Sequence, residues 1–89
     1  MVEDSSLYQI QFSRKAQKDI RELTEQQKRK LKQILKEVVR INPFNGKVLK
    51  GKLKGLYSLR LNRKDRILYE IYEEDKTVLI IRARTHYGE

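Results

Sequence analysis

The sequence predicts an α+β fold: a two-helix hairpin packed on a largely antiparallel, twisted sheet, with elements in the order β-α-α-β-β-β. Three observations carry this expectation. Residues 7–12 alternate, with Tyr8, Ile10 and Phe12 on one side and Gln9 and Gln11 on the other, the pattern of a half-buried strand. Residues 13–41 then change to helical spacing, and from Val48 onward the pattern returns to period two.

Each element has a local cause. Ser13 can cap a first helix, since its hydroxyl can accept from the free amides of the first turn, and Ala16, Ile20 and Leu23 follow at helical intervals. Thr24 with Gln27 has the form of a capping box, and Leu31, Ile34, Leu35, Val38 and Ile41 make an apolar row behind it. Asn42-Pro43 ends that second helix, because proline lacks an amide donor and restricts the residue before it. Phe44-Asn45-Gly46 supplies a turn. Leu56–Leu61, Arg66–Tyr72 and Thr77–Thr85 read as strands, separated by Asn62-Arg63-Lys64-Asp65 and by Glu73-Glu74-Asp75-Lys76.

Eighty-nine residues make one domain, near the size at which a single core is self-sufficient, with Met1–Ser6 expected to be a flexible leader. There is no cysteine, so disulfides, thiolate catalysis and cysteine-rich metal centres are excluded. No cofactor or metal is implied. No apolar run approaches the ~20 residues that span a bilayer, and no signal peptide is visible, which points to the cytoplasm.

The net charge of +9 is concentrated. Between Gly46 and Tyr69 stand Lys47, Lys50, Lys52, Lys54, Arg60, Arg63, Lys64 and Arg66 against Asp65 alone, a local excess of +7. Such a concentration suits a polyanion, because neutralising phosphates releases condensed counterions. Lys50-Gly51-Lys52-Leu53-Lys54-Gly55 places two glycines where backbone can approach an anion, but it matches no phosphate-loop signature. The second helix carries a further basic stripe, Arg29, Lys32, Lys36 and Arg40, which is either a solvated face or a nucleic-acid contact.

At the end of the chain, Arg82, Arg84 and His86 occupy alternate positions of an expected strand and would face one way. His86 is the only histidine, and its unperturbed pKa lies near neutrality. RNA is cut without metal when a base takes the 2′-hydroxyl proton, cations stabilise the phosphorane and an acid protonates the leaving 5′-oxygen. Arg60 and Arg66, with Arg82 or Arg84, suit the charge; His86, Tyr87 or a lysine suits the proton transfers.

Pro43-Phe44-Asn45-Gly46-Lys47, Leu53-Lys54-Gly55, Tyr57-Ser58-Leu59-Arg60, Asp65-Arg66-Ile67-Leu68-Tyr69 and His86-Tyr87, in that order, resemble the bacterial RelE/ParE toxin superfamily and, within it, the YoeB (Txe) branch. The resemblance spans nearly the whole chain. It implies a ribosome-dependent mRNA interferase, the toxin of a type II toxin–antitoxin pair, cutting codons in the ribosomal A site. The implied partners are mRNA, ribosomal RNA and an acidic antitoxin in a hetero-oligomer, with a homodimer left open. It assigns Arg66 to transition-state stabilisation, Arg60 to phosphate binding, His86 to proton transfer and Tyr87 to stacking or positioning, with Lys50 in the basic loop. One position departs from the pattern: Lys47 stands where YoeB-like toxins carry a glutamate general base. Either His86 acts as the base, or Lys47 does so with its pKa lowered by ~3 units. Two further readings use the same fold, a ParE-like gyrase inhibitor, which would not need His86-Tyr87, and a catalytically silent binding protein.

Overall fold

In the computed structural model, which describes residues 7–84, the alternating segment forms strand β1 (Gln9–Phe12) and Ser13 closes it by capping helix α1 (Arg14–Arg21). The Ser13 hydroxyl accepts from the Ala16 amide at 3.0 Å and donates to the Ile81 carbonyl at 2.7 Å, so the cap also fastens the helix start to the last strand. Met1–Ser6 lies outside the described residues.

Helix α2 (Glu25–Ile34) begins with the expected capping box: Thr24 Oγ1 accepts from the Gln27 amide at 3.1 Å, and Gln27 Oε1 accepts from the Thr24 amide at 2.9 Å. Its far end departs from expectation. Leu35–Val39 forms a π turn, closed by the Arg40 amide on the Leu35 carbonyl at 2.9 Å. The wider turn shifts the helix phase. Leu31, Leu35 and Val39 therefore face the core, whereas Ile41, the expected end of the apolar row, is 57% exposed, and Ile34 and Val38 are half-buried.

A 3₁₀ turn at Pro43–Asn45, capped by the Asn42 side chain, leads into β2 (Lys47–Val48), followed by β3 (Tyr57–Arg60), β4 (Arg66–Tyr72) and β5 (Thr77–Arg82). The strand order is β1-β5-β4-β3-β2, with β1 parallel to β5 and every other pairing antiparallel. Strand β2 was not among the expected elements, because two residues are too few to show alternation. The last strand ends at Arg82 rather than Thr85, after a register shift in which Tyr69 faces Ile80 but Leu68 faces Arg82.

The core lies between the hairpin and one face of this sheet, where Leu31, Leu35 and Val39 meet Ile67, Tyr69, Val78 and Ile80. That leaves the opposite face free of helices. Among the described residues, no helix is long and apolar enough to cross a membrane.

Candidate RNA-binding face

Strand register decides which basic residues share a surface. Arg60 on β3 stands directly opposite Arg66 on β4, and Ser58 stands between Leu68 and, on β2, Lys47. The neighbouring positions Tyr57, Leu59, Ile67 and Tyr69 pack with the helices, so alternation sends Lys47, Ser58, Arg60 and Arg66 to the helix-free face. Like charges directly opposed across strands destabilise a sheet by about 0.2–1 kcal/mol. Among the described residues neither arginine has a carboxylate within ion-pair distance. Arg66 is instead held by Ser58, whose buried hydroxyl accepts from its Nη1 at 3.3 Å.

The position of Lys47 is fixed from behind. Tyr69 donates its hydroxyl to the Pro43 carbonyl at 2.6 Å, and its ring stacks on Tyr57, which takes the edge of Phe44. A Cβ at Gly46 would collide with the Tyr69 hydroxyl, so glycine is required there by space. Burial pushes the Tyr69 pKa up to about 12; the Gly46 amide opposes that rise, and the neighbouring Tyr57 adds to it. Beyond β2 the chain turns at Gly51 and Gly55, with φ of 71° and 95°, a left-handed backbone that favours glycine. Lys50, Lys52 and Lys54 project from this turn into solvent.

No carboxylate of the described residues reaches the guanidinium groups of Arg60 and Arg66. Glu70 shares the face, but it is four residues along β4 from Arg66, about 13 Å at strand rise, and accepts from the Tyr72 hydroxyl at 2.6 Å. Asp65 is buried in the β3–β4 turn, where its Oδ2 accepts from the Asn62 side-chain amide at 3.3 Å and its Oδ1 has no partner among the described residues.

Arg82 and Arg84 turn to the same side, as alternation suggests, but toward α1. Arg82 forms a two-pronged ion pair with Asp19, Nε to Oδ2 at 2.8 Å and Nη2 to Oδ1 at 3.1 Å, and the Ala83 amide donates to Oδ2 at 3.0 Å. Arg84 pairs with Glu22 at 3.0 Å. Desolvation raises the Asp19 pKa, but the Arg82 guanidinium and the Ala83 and Arg84 amides outweigh it and hold the carboxyl below the ordinary aspartate value. Asp19 in turn raises the Arg82 pKa. The sequence reading missed both Asp19 and Ser58. A lone aspartate in helical spacing carries no mark of burial, whereas Ser58, two residues before Arg60 on the same face of an alternating strand, was a usable signal. His86 and Tyr87 lie outside the described residues.

The helix stripe divides. Arg29, Lys32, Lys36 and Arg40 are all exposed, and Lys32, Lys36 and Arg40, with Lys28, rim a groove of about 420 Å³ floored by Ile10, Phe12, Ile20, Leu31 and Leu35.

This arrangement, two helices packed on one face of a five-stranded mixed sheet, is that of small RelE-type toxins. The chain is similar to the toxin–antitoxin complex RelBE2 from Mycobacterium tuberculosis, at 28% identity over 88% of this chain and 96% of that one, with a TM-score of 0.80. It is likewise similar to the YoeB dimer from Staphylococcus aureus, at 29% identity over 90% and 98% of the two chains and a TM-score of 0.73. The intact RelBE toxin–antitoxin complex of E. coli matches at 25% identity over 88% and 95%, with a TM-score of 0.74. Comparison with curated protein sequences returns no match. The model of the YoeB-like toxin of bacterial type II toxin–antitoxin systems matches residues 12–87, and the chain belongs to that family. It is a type II toxin of the YoeB/RelE kind.

Proposed function

We propose that this toxin is a ribosome-dependent mRNA endoribonuclease that cuts codons in the A site and so inhibits translation. The observation that carries the reading is the pairing of Arg60 with Arg66 on the helix-free face, unneutralised by any carboxylate among the described residues and flanked by Ser58 and Lys47. A sheet bears that repulsion without compensation unless an anion completes it.

In the reaction, the 2′-oxygen bonds to phosphorus and its proton passes to a base, while the phosphorus–O5′ bond breaks and the 5′-oxygen takes a proton from an acid. The products are a 2′,3′-cyclic phosphate and a 5′-hydroxyl. Arg66 and Arg60 stabilise the charge on the phosphorane. His86 transfers a proton and Tyr87 stacks on or positions a nucleobase beside the scissile phosphate. Lys47, Lys50, Lys52 and Lys54 bind the RNA backbone, as do Arg29, Lys32 and Lys36 on α2 and its continuation.

The partner is an acidic antitoxin that folds on binding. The groove between β1 and α2 supports this, because an apolar floor with a rim of Lys28, Lys32, Lys36 and Arg40 complements a segment with apolar and acidic faces.

Primer extension in a translation extract tests the nuclease. Cuts in message should depend on ribosomes. Equal cutting of naked RNA at the same sites, or arrest without cuts and with inhibited gyrase, would overturn the reading.

A further inference from the structure

The C-terminal end of β5 is fastened to α1 at both ends of the helix. At its start, Ser13 takes the Ile80 carbonyl with its amide at 2.9 Å and the Ile81 carbonyl with its hydroxyl at 2.7 Å. At its end, Asp19 uses both oxygens on Arg82 and on the Ala83 amide, and Glu22 takes Arg84. Sheet pairing is weakened here, because a register shift at Leu68/Tyr69 disturbs the β4–β5 ladder and the strand stops at Arg82. Arg82 and Arg84 also link directly, Nη2 of the first donating to the carbonyl of the second at 3.5 Å.

From this geometry we infer that Asp19 is a positioning residue. Its bonds to Arg82 and Ala83 fix the backbone at the end of β5, which precedes His86 and Tyr87 in the chain, and Arg82 serves this clamp rather than the RNA. The part concerning catalysis rests on the proposed nuclease reading; the part concerning the chain end does not. Two properties suit Asp19 to the task. It is buried, so its bonds are little weakened by water, and it receives the fork of a guanidinium whose planar geometry fixes direction as well as distance. Neither property is needed for a solvent-facing phosphate ligand. With Nε and Nη2 held by a buried carboxylate, Arg82 keeps only Nη1 for a phosphate and cannot offer its two-pronged edge.

The test compares Asp19→Asn, Arg82→Gln and the double variant in the full-length toxin. Single-turnover cleavage on programmed ribosomes should fall roughly ten- to a hundredfold in all three, the size expected from misplacing a reacting group by about 1 Å. The double variant should be no worse than either single one, and ribosome affinity should be unchanged. In parallel, ¹⁵N relaxation should show Ala83 and Arg84 becoming more mobile in each variant while β4 keeps its rigidity. An Arg82→Gln protein with weakened, less salt-dependent ribosome binding beside a fully active Asp19→Asn protein would make Arg82 an RNA ligand and overturn the inference. So would additive losses, or relaxation at Ala83 and Arg84 identical to that of the unaltered toxin. Should Asp19→Asn fail to fold, Arg82→Gln, altered at a partly exposed side chain, decides by the same affinity and relaxation measurements. If the unaltered toxin cuts nothing, the nuclease reading fails, and the relaxation data still decide the clamp.

Discussion

The Tyr69 hydroxyl donates to the Pro43 carbonyl at 2.6 Å, joining the buried centre of β4 to the turn that delivers Lys47 to the opposite sheet face. Tyr69→Phe removes that bond and leaves the Pro43 carbonyl only the longer bond from the Gly46 amide, at 3.4 Å, which should cost about 1–2 kcal/mol. For a domain of this size the melting temperature should drop by roughly 4–8 °C per kcal/mol, measurable by thermal denaturation. In alkaline titration followed at 295 nm, Tyr69 should ionise only near pH 12. Its pKa is raised on folding, so the stability it contributes is complete below about pH 10 and is lost as the pH climbs through that higher value.

Gly46→Ala should destabilise more than Tyr69→Phe, because the added methyl group meets the Tyr69 hydroxyl and, more loosely, the Ser58 carbonyl. Combining the two changes should cost less than their sum, since removing the hydroxyl takes away the closest contact and leaves the ring carbon at 3.0 Å. Strict additivity in denaturant melts would show that the two residues do not share that space.

At the arginine pair, Arg66→Ala should be severe for cleavage, as a cation positioned on the developing charge is lost. Ser58→Ala should cost about tenfold, by releasing Arg66 from its hydroxyl bond, with the fold retained. His86→Gln should lower single-turnover cleavage by ~10²–10⁴, the range for one general acid or base. Lys47→Ala discriminates between bases: a loss under about tenfold, roughly 1.4 kcal/mol, leaves proton transfer with His86, and a loss matching His86→Gln makes Lys47 the base.

Acid should reveal the Asp19 pair. The carboxyl lies below its ordinary pKa in the folded protein, so its contribution is fully present above about pH 4 and is lost as pH falls through the depressed folded value. A plot of melting temperature against pH should therefore be flatter below about pH 4 for Asp19→Asn than for the unaltered toxin. Parallel curves would mean that the pair adds nothing to stability.

Core packing gives a further contrast. Val39→Ala should cost about 2 kcal/mol, because its side chain is fully buried, while Ile41→Ser should stay within about 0.5 kcal/mol. The reverse order in denaturant melts would restore the uninterrupted α-helix.

The helix starts were legible because caps are local: Ser13 and Thr24 meet amides three residues away, and both bonds form as their spacing suggests. The strands of residues 9–12, 57–60, 66–72 and 77–82 were legible for the same reason, since alternation is written over neighbouring positions. The π turn was not, because residues 35–39 have the same spacing whether the amide of Arg40 reaches back four residues or five, and packing against the sheet chooses. In the candidate site, the order of basic residues in the chain marked out Arg60 and Arg66, but only strand register sets them face to face and brings Lys47 and Ser58 beside them. Alternation likewise put Arg82 and Arg84 on one side without saying what stood there. Their partners, Asp19 and Glu22, are more than sixty positions away in sequence, and a contact at that separation exists only once the sheet and the hairpin have closed on each other.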